Sequence, residues 1–350
     1  MSDEVYARLR RFLDTLPSGF PETPNGVEIR ILKKMFTPED AEFVMKLKDE
    51  PESGSDIALR IEMNEAEVSS KLEELATKGL IFRTYQGDRR LYQAYSFVIG
   101  LYEFQVNRLD REFCELYEEY LPYLALSTAR LTSQYRVIPV ESSLEETAGV
   151  TPYNRIREII RGEGLIALTP CICKQERGLL GHPCTKPQEV CMMFGNFARF
   201  YIDNGYGREI GLEEALQVLD VAEANGLVLT CSNALKLETL CCCCTCCCPT
   251  LKNIKVLRSP ARYILSYYRA IIDDDACVGC DACVEICPMN AIGPGQDAPE
   301  ISEKRCIGCG LCVGRCPAGA LSLMALPDRT EPPPTVAGIM ERIAAERGLR

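Results

Sequence analysis

The sequence predicts an α+β protein built from several domains, and three observations lead there. Residues 28–96 carry helix-start signals in succession and close on two β-rich runs. Residues 135–269 mix short strand-like segments with helices. Of 21 cysteines, all but Cys114 lie between Cys171 and Cys316, the last eight in two repeats of one spacing. That shift in composition divides an ordinary globular front from a sulfur-rich rear, and 350 residues are enough for two or three domains with real cores. The boundaries expected are 1–97, a helical linker at 98–134, a cysteine-rich α/β domain at 135–269, a repeat domain at 270–326 and a Pro-containing tail at 327–350.

Composition narrows the chemistry. The chain has one histidine, His182, and no tryptophan. Sites built on several imidazoles are therefore excluded. So many cysteines in so large a chain are not the staples of a small secreted domain, so they read as thiolate ligands in a reducing compartment. No apolar run reaches the 18 or so residues of a membrane span, and MSDEVYARLRRFLDTL has no apolar core of a secretory signal, so the expected location is cytoplasmic. A net charge of −11 argues against a protein that neutralises nucleic-acid phosphates.

The elements follow in order. Thr37 before Pro38 reads as an N-cap with a first-turn proline, opening a helix to about Lys48. Ser55 begins a short helix, and Asn64 with Glu67 starts another that ends near Gly79, with Val68, Leu72 and Leu75 on one face. LIFRTY and RRLYQAY are joined by Gln86-Gly87-Asp88 as a hairpin. This order resembles a winged-helix domain, which raises nucleic-acid binding as a function. Charge opposes it: residues 28–100 hold 11 Lys and Arg against 14 Asp and Glu, and the helix that would read a groove carries four glutamates and two lysines. Only the wing is basic, at Arg83, Arg89 and Arg90.

Residues 98–121 are expected as a helix broken by Pro122, with Leu101, Phe104, Leu109, Phe113 and Leu116 near one face and Cys114 as a small buried hydrophobe. RVIPV (136–140) and LIALT (165–169) read as strands with helix RIREIIR between them. VCMMFGNFARFYIDNG reads as helical and places Cys191 at its start, and LEEALQVLDVAEANG (212–226) is a helix with a glycine stop. After Pro332-Pro333-Pro334 a short amphipathic helix covers 336–347.

The strongest motif is Cys277-x2-Cys280-x2-Cys283-x3-Cys287-Pro288, repeated as Cys306-x2-Cys309-x2-Cys312-x3-Cys316-Pro317. A pair of zinc ribbons would leave this register unexplained. It resembles the bacterial two-cluster ferredoxins. The resemblance implies two [4Fe–4S] clusters, one on Cys277, Cys280, Cys283 and Cys316, the other on Cys306, Cys309, Cys312 and Cys287. Residues 271–325 hold eight acidic and three basic side chains, which fits a redox partner with a basic docking surface.

Upstream, Cys171-x-Cys173-x10-Cys184-x6-Cys191 offers four thiols, suited to a further iron–sulfur cluster or to zinc, with His182 as a ligand or a surface donor. Then comes Cys241-Cys242-Cys243-Cys244-Thr245-Cys246-Cys247-Cys248-Pro249, with Cys231 ten residues before it. Neighbouring side chains diverge, so these thiols cannot all face one cube. The twelve middle cysteines could hold three cubes or fewer, larger centres; Cys231, Cys241, Cys243, Cys244, Cys246, Cys247 and Cys248 are taken as ligands with the earlier four.

The whole order, with CICKQERGLLGHPC, Ser232-Asn233-Ala234 and the cysteine run, resembles anaerobe iron–sulfur proteins described as 4Fe-4S ferredoxin-type. Their run is closer to CNCCGCCC, so Cys242, Thr245 and Pro249 are departures. The function expected is electron transfer through the ferredoxin clusters and further clusters at 171–248, to or from a partner redox enzyme. Two alternatives stand beside it: a redox enzyme with a catalytic cysteine-bound site in the middle domain, and a redox-sensing winged-helix regulator. There is no P-loop and no Gly-x-Gly-x-x-Gly after a strand to support nucleotide chemistry.

Overall fold

The computed structural model describes residues 2–144, 150–295, 298–327 and 330–349. Gln296 and Asp297, in the loop between the two cysteine repeats, fall outside them. The front holds helices α1 (Ser2–Asp14), α2 (Val27–Met35) and α3 (Pro38–Val44), strand β1 (Glu52–Ser53), helices α4 (Gly54–Arg60) and α5 (Glu65–Thr77), and the hairpin β2 (Phe82–Gln86) and β3 (Arg89–Gln93). The three strands form one antiparallel sheet, β1-β3-β2. Local chemistry sets these limits. Thr37 accepts from Asp40 N while Asp40 accepts from Thr37 N, closing a capping box with Pro38 at the first position. Asn64 Oδ1 accepts from Ala66 N and Glu67 N. Helix α3 ends at Val44, short of Lys48, and α4 is capped by Ser53 rather than Ser55.

The stretch 98–121 is not one helix. Residues 97–105 form two short turns, and α6 runs from Arg111 to Thr128 through Pro122. Asp110 sets its start by accepting from Phe113 N at 2.8 Å. Burial of Tyr117, Tyr120, Leu121 and Leu124 on one face outweighs the hydrogen bond lost at Pro122. Cys114 on α6 is fully buried.

Next come β4 (Tyr135–Ile138), α7 (Ile156–Arg161), β5 (Ile166–Pro170), α8 (Ile172–Leu179), β6 (Glu189–Phe194), α9 (Gly195–Asp203), β7 (Arg208–Ile210), α10 (Leu212–Ala224), β8 (Val228–Ser232), β9 (Thr239–Cys243) and α11 (Pro249–Lys255). Six strands make an antiparallel sheet in the order β4-β8-β9-β6-β5-β7. One expectation is corrected here. Cys191 lies inside a strand, because Val190, Met192 and Phe194 are all needed on one buried face; the helix begins only at Gly195. The first half of the cysteine run is likewise a strand, β9.

The rear contains β10 (Tyr268–Ile272), α12 (Ala282–Ile286), β11 (Ile292–Gly293), β12 (Glu300–Ile301), β13 (Leu321–Ala325) and α13 (Val336–Glu346). β10 pairs with β13 and β11 with β12, both antiparallel. The proline segment is docked: Leu235 N and Lys236 N donate to Pro333 O and Pro334 O. From α13, Arg347 reaches Asp14 and the carbonyls of Leu16 and Pro17. Among the described residues no helix is long and apolar enough to cross a membrane.

The front packs on the sheet through its hairpin. The ring of Phe82 meets Phe197 and Phe200 of α9 at 4.7 and 5.0 Å. Arg83, buried, bonds Glu73 at 2.6 Å and Asn204 at 3.2 Å, and Tyr85 bonds Asp203.

Candidate metal centres

Two cavities in the rear gather the eight repeat cysteines. One is lined by Cys287, Cys306, Cys309 and Cys312, the other by Cys277, Cys280, Cys283 and Cys316. Each quartet takes three thiols from one repeat and the fourth from the other. Backbone N–H groups point at the sulfurs: Ala270 to Cys306 at 3.3 Å, Ala291 to Cys287 at 3.1 Å and Ala320 to Cys316 at 3.3 Å. Such donors favour thiolates. Burial works against them, pushing the Cys312 thiol up to about 12 and Cys309 well above the usual range. A cation at the centre of each quartet resolves that conflict, so the residues fit a metal cluster.

The two quartets differ in setting. The loop of Cys306, Cys309 and Cys312 is pressed on the six-stranded domain: Val140 N donates to Cys309 O at 3.0 Å. Gly308 and Gly310 have positive φ, and a Cβ on them would lie 2.1 Å from Tyr268 O and 2.2 Å from Ser143 Oγ. Only glycine satisfies both the backbone and the approach. The other quartet faces outward, with Cys280 exposed and Val278 67% exposed. Asp273, Asp274, Asp275 and Asp281 stand around it, all exposed.

The middle cysteines separate into three sets. The first spans the sheet and the segments beside it. Cys191 pairs directly with Cys241 across β6 and β9, and Cys243 follows two residues on, so the three share a face. Cys171 interacts with Cys173 and Cys191, and Cys243 with Cys241 and Cys248. Six thiols, 171, 173, 191, 241, 243 and 248, thus line one basin. Hydrogen bonds from Cys173 and Cys191 hold Cys171 well below the usual thiol range, and those from Cys241 and Cys248 do the same for Cys243. Thr230 Oγ1 lies 3.3 Å from Cys243 Sγ, and Lys174, itself buried with its ammonium on Pro187 O, adds a nearby positive charge that favours the Cys171 thiolate. Tyr102 and Tyr117, stacked at 3.6 Å, stand beside Cys173. The Tyr102 hydroxyl donates to Glu176 at 2.8 Å, and burial pushes Glu176 up to about 7.

The second set is Cys184, Cys244, Cys246 and Cys247, whose sulfurs all lie within 4.8 Å of one another. The four thiols 171, 173, 184 and 191, expected to share a site, are therefore divided. Cys184 sits on the loop after α8, which folds toward the turn following β9 rather than back to Cys171. His182 is exposed in that loop.

The third set, Cys231 and Cys242, faces away. Cys242 lies between Cys241 and Cys243 on a strand and pairs with Leu229. Cys231 pairs with Leu240, and its thiol donates to Ser232 O at 3.3 Å. Burial pushes Cys231 up to about 11. Cys231, taken from sequence as a ligand, is not brought to either group. Reading the run with a period of two would have found this division. Nothing in sequence marks Thr230, Tyr102 or Tyr117 as neighbours of the basin, since each comes from a distant segment.

The wing arginines are spent internally. Arg83 and Arg90 both pair with Glu73, and Arg89 with Asp56. Lys71 and Lys78 of α5 both bind buried Asp40. On the hairpin and α5, these carboxylates offset the positive charge that would meet a phosphate backbone.

Comparison with known families agrees with the rear of the molecule: residues 269–320 match the model of the 4Fe-4S dicluster domain. That stretch contains all eight cysteines of the two repeats, and with the cysteine groups it marks an iron–sulfur protein of ferredoxin type. No curated protein and no solved structure matches the chain.

Proposed function

We propose that this protein carries electrons between a redox partner and a further iron–sulfur centre in its middle domain, using two [4Fe–4S] clusters as the path. One cluster belongs to Cys277, Cys280, Cys283 and Cys316, the other to Cys306, Cys309, Cys312 and Cys287. When bound, they supply one-electron chemistry at potentials set by the surrounding hydrogen bonds and exposure. What carries the reading is the asymmetry of the two quartets: one opens outward, the other is hydrogen-bonded onto the domain that holds the six-thiol basin. The chain's residues then have separate tasks. Exposed Asp273, Asp274 and Asp275 present an acidic docking face to a basic partner. Gly308 and Gly310 allow close approach at the inner end, and Ile286, next to Cys287, touches Gly226 of the middle domain. Cys171, Cys173, Cys191, Cys241, Cys243 and Cys248 would hold the terminal centre.

Iron analysis after anaerobic reconstitution tests this. More than about eight irons per chain are expected, since the ferredoxin cubes account for eight. A content that stops at eight ends the path at the ferredoxin domain. A second reading, a redox enzyme acting at the basin, draws on one observation: six thiols exceed the four corners of a cube. It predicts that a small-molecule oxidant reoxidises the basin centre ahead of the two cubes, whereas a carrier hands its electrons out only through a partner.

A further inference from the structure

The spacing of sulfurs separates two kinds of metal site in the middle domain. In the set Cys184, Cys244, Cys246 and Cys247, Cys184 Sγ lies 3.9 Å from Cys244 Sγ and 3.7 Å from Cys246 Sγ, and Cys246 and Cys247 are 3.7 Å apart. Four sulfurs bound at about 2.3 Å around one tetrahedral zinc stand about 3.8 Å from each other. A cube behaves differently. Each of its thiolates bonds a different iron at a different corner, so the cube itself holds the sulfurs apart. The same molecule supplies the comparison: among the described residues this is the only set whose ligand atoms all fall within 4.8 Å, while the two ferredoxin quartets line cavities.

We infer that Cys184, Cys244, Cys246 and Cys247 bind a single tetrahedral zinc ion, separate from every iron–sulfur centre of the chain. The ligand set has the features of a closed structural site. All four positions are thiolates, leaving none for water or substrate, and exposed His182 is not needed. An ion without redox chemistry suits a place where Cys246 is exposed. The site also has work to do. The loop 180–188 has no secondary structure and is otherwise tied by Cys171 N to Gln188 O, Lys174 to Pro187 O and Lys186 to Asn225 O. Zinc on Cys184 would fix it to the turn after β9. Lys186, two residues on, then holds the α10 terminus beside Gly226, which lies against Ile286 of the ferredoxin region. The ion would act as a clip at the seam between the two metal-bearing regions.

The inference stands apart from the electron-transfer reading, and its test uses the intact chain. Protein isolated without oxygen and washed with chelator is analysed for zinc and iron, and its zinc-edge absorption fine structure is recorded. The result expected is about one zinc per chain with four sulfurs at about 2.3 Å. Cys246→Ala should lose the zinc and keep its iron. No stoichiometric zinc in the wild type, a zinc shell with nitrogen or oxygen in it, or loss of iron with Cys246→Ala overturns the assignment. The wild-type spectrum decides the matter even if the variant does not fold. An iron count of eight in a sample that holds zinc would refute the basin centre and leave the zinc site standing.

Discussion

Val140 donates its backbone N–H to the carbonyl of Cys309 across 3.0 Å, so the loop of Cys306, Cys309 and Cys312 is hydrogen-bonded to the segment that leaves β4. The bond joins the core of the middle domain to the interior of the inner quartet. Its neighbour Gly310 makes the contact possible, and substitutions there test the seam.

Gly310→Ala places a Cβ 2.2 Å from Ser143 Oγ at a φ of +77°. Strain and overlap together should cost about 2–4 kcal/mol. Gly279→Ala, at φ +67° in the outward repeat with open space around its Cβ, should cost about 1–2 kcal/mol. Denaturant unfolding of the two holo variants should show that order, and equal losses would mean that the approach to Ser143 is not tight.

Because each cavity takes its fourth thiol from the other repeat, iron losses should be non-additive. Cys287→Ala and Cys309→Ala each strike the same quartet, so the double variant should lose about four irons, as either single does. Cys287→Ala with Cys277→Ala strikes both quartets and should lose about eight. If Cys287 served its own repeat, these two results would change places.

Cys242 and Cys231 point away from the basin. Alanine at either should leave iron and sulfide content unchanged and reduce stability by about 1–2 kcal/mol, the cost of a small cavity in place of a thiol. A loss of iron from Cys242→Ala would show that β9 presents its other face to the metal.

Arg83 is the buried tie between the hairpin and α9. Replacing it with methionine leaves Glu73 paired to Arg90 but takes the donor from Asn204 Oδ1, and should cost about 2–4 kcal/mol. The same variant offers no DNA-dependent change in mobility, since this guanidinium is turned inward; a specific shift abolished by it would favour the regulator.

Stability should depend on pH through Glu103 and Glu238. Burial raises each from an ordinary 4.5 to about 7. The folded state therefore holds protons that the unfolded chain has released, and their stabilising contribution, complete below 4.5, is lost as pH climbs through 7. Glu103→Gln keeps an acceptor for Gly100 N but cannot ionise. It should match the wild type at low pH and exceed it by up to about 3 kcal/mol at pH 8. Parallel profiles from pH 5.5 to 8 for wild type and variant would show that Glu103 stays accessible to water.

Legibility in the sequence followed the range of the interactions. Caps such as Thr37 and Asn64, and the Gly87 turn, act within a few residues and were readable, as was the fixed spacing of the two cysteine repeats. Helix α6 was misplaced because Asp110 and the buried tyrosines decided its limits against Pro122. The division of the middle thiols depended on which strand lies beside which. Cys191 meets Cys241 only through the β6–β9 pairing, and Cys184 leaves its sequence neighbours for a turn sixty residues later. Composition announced the metal, while topology decided the sets.

A strand that repeats one residue carries no address in that residue. In β9 the cysteines at 241, 242 and 243 are interchangeable letters, and a slip of one place would swap a thiol in the basin for one behind the sheet. The identity of the strand's position must come from its neighbours. Leu240, fully buried and set between Met192 and Cys231, is the apolar key that a slipped strand would leave facing sulfur, and Thr239 bonds Tyr135 only in the observed register. Two ordinary residues thus decide which of the chain's most reactive groups face the basin.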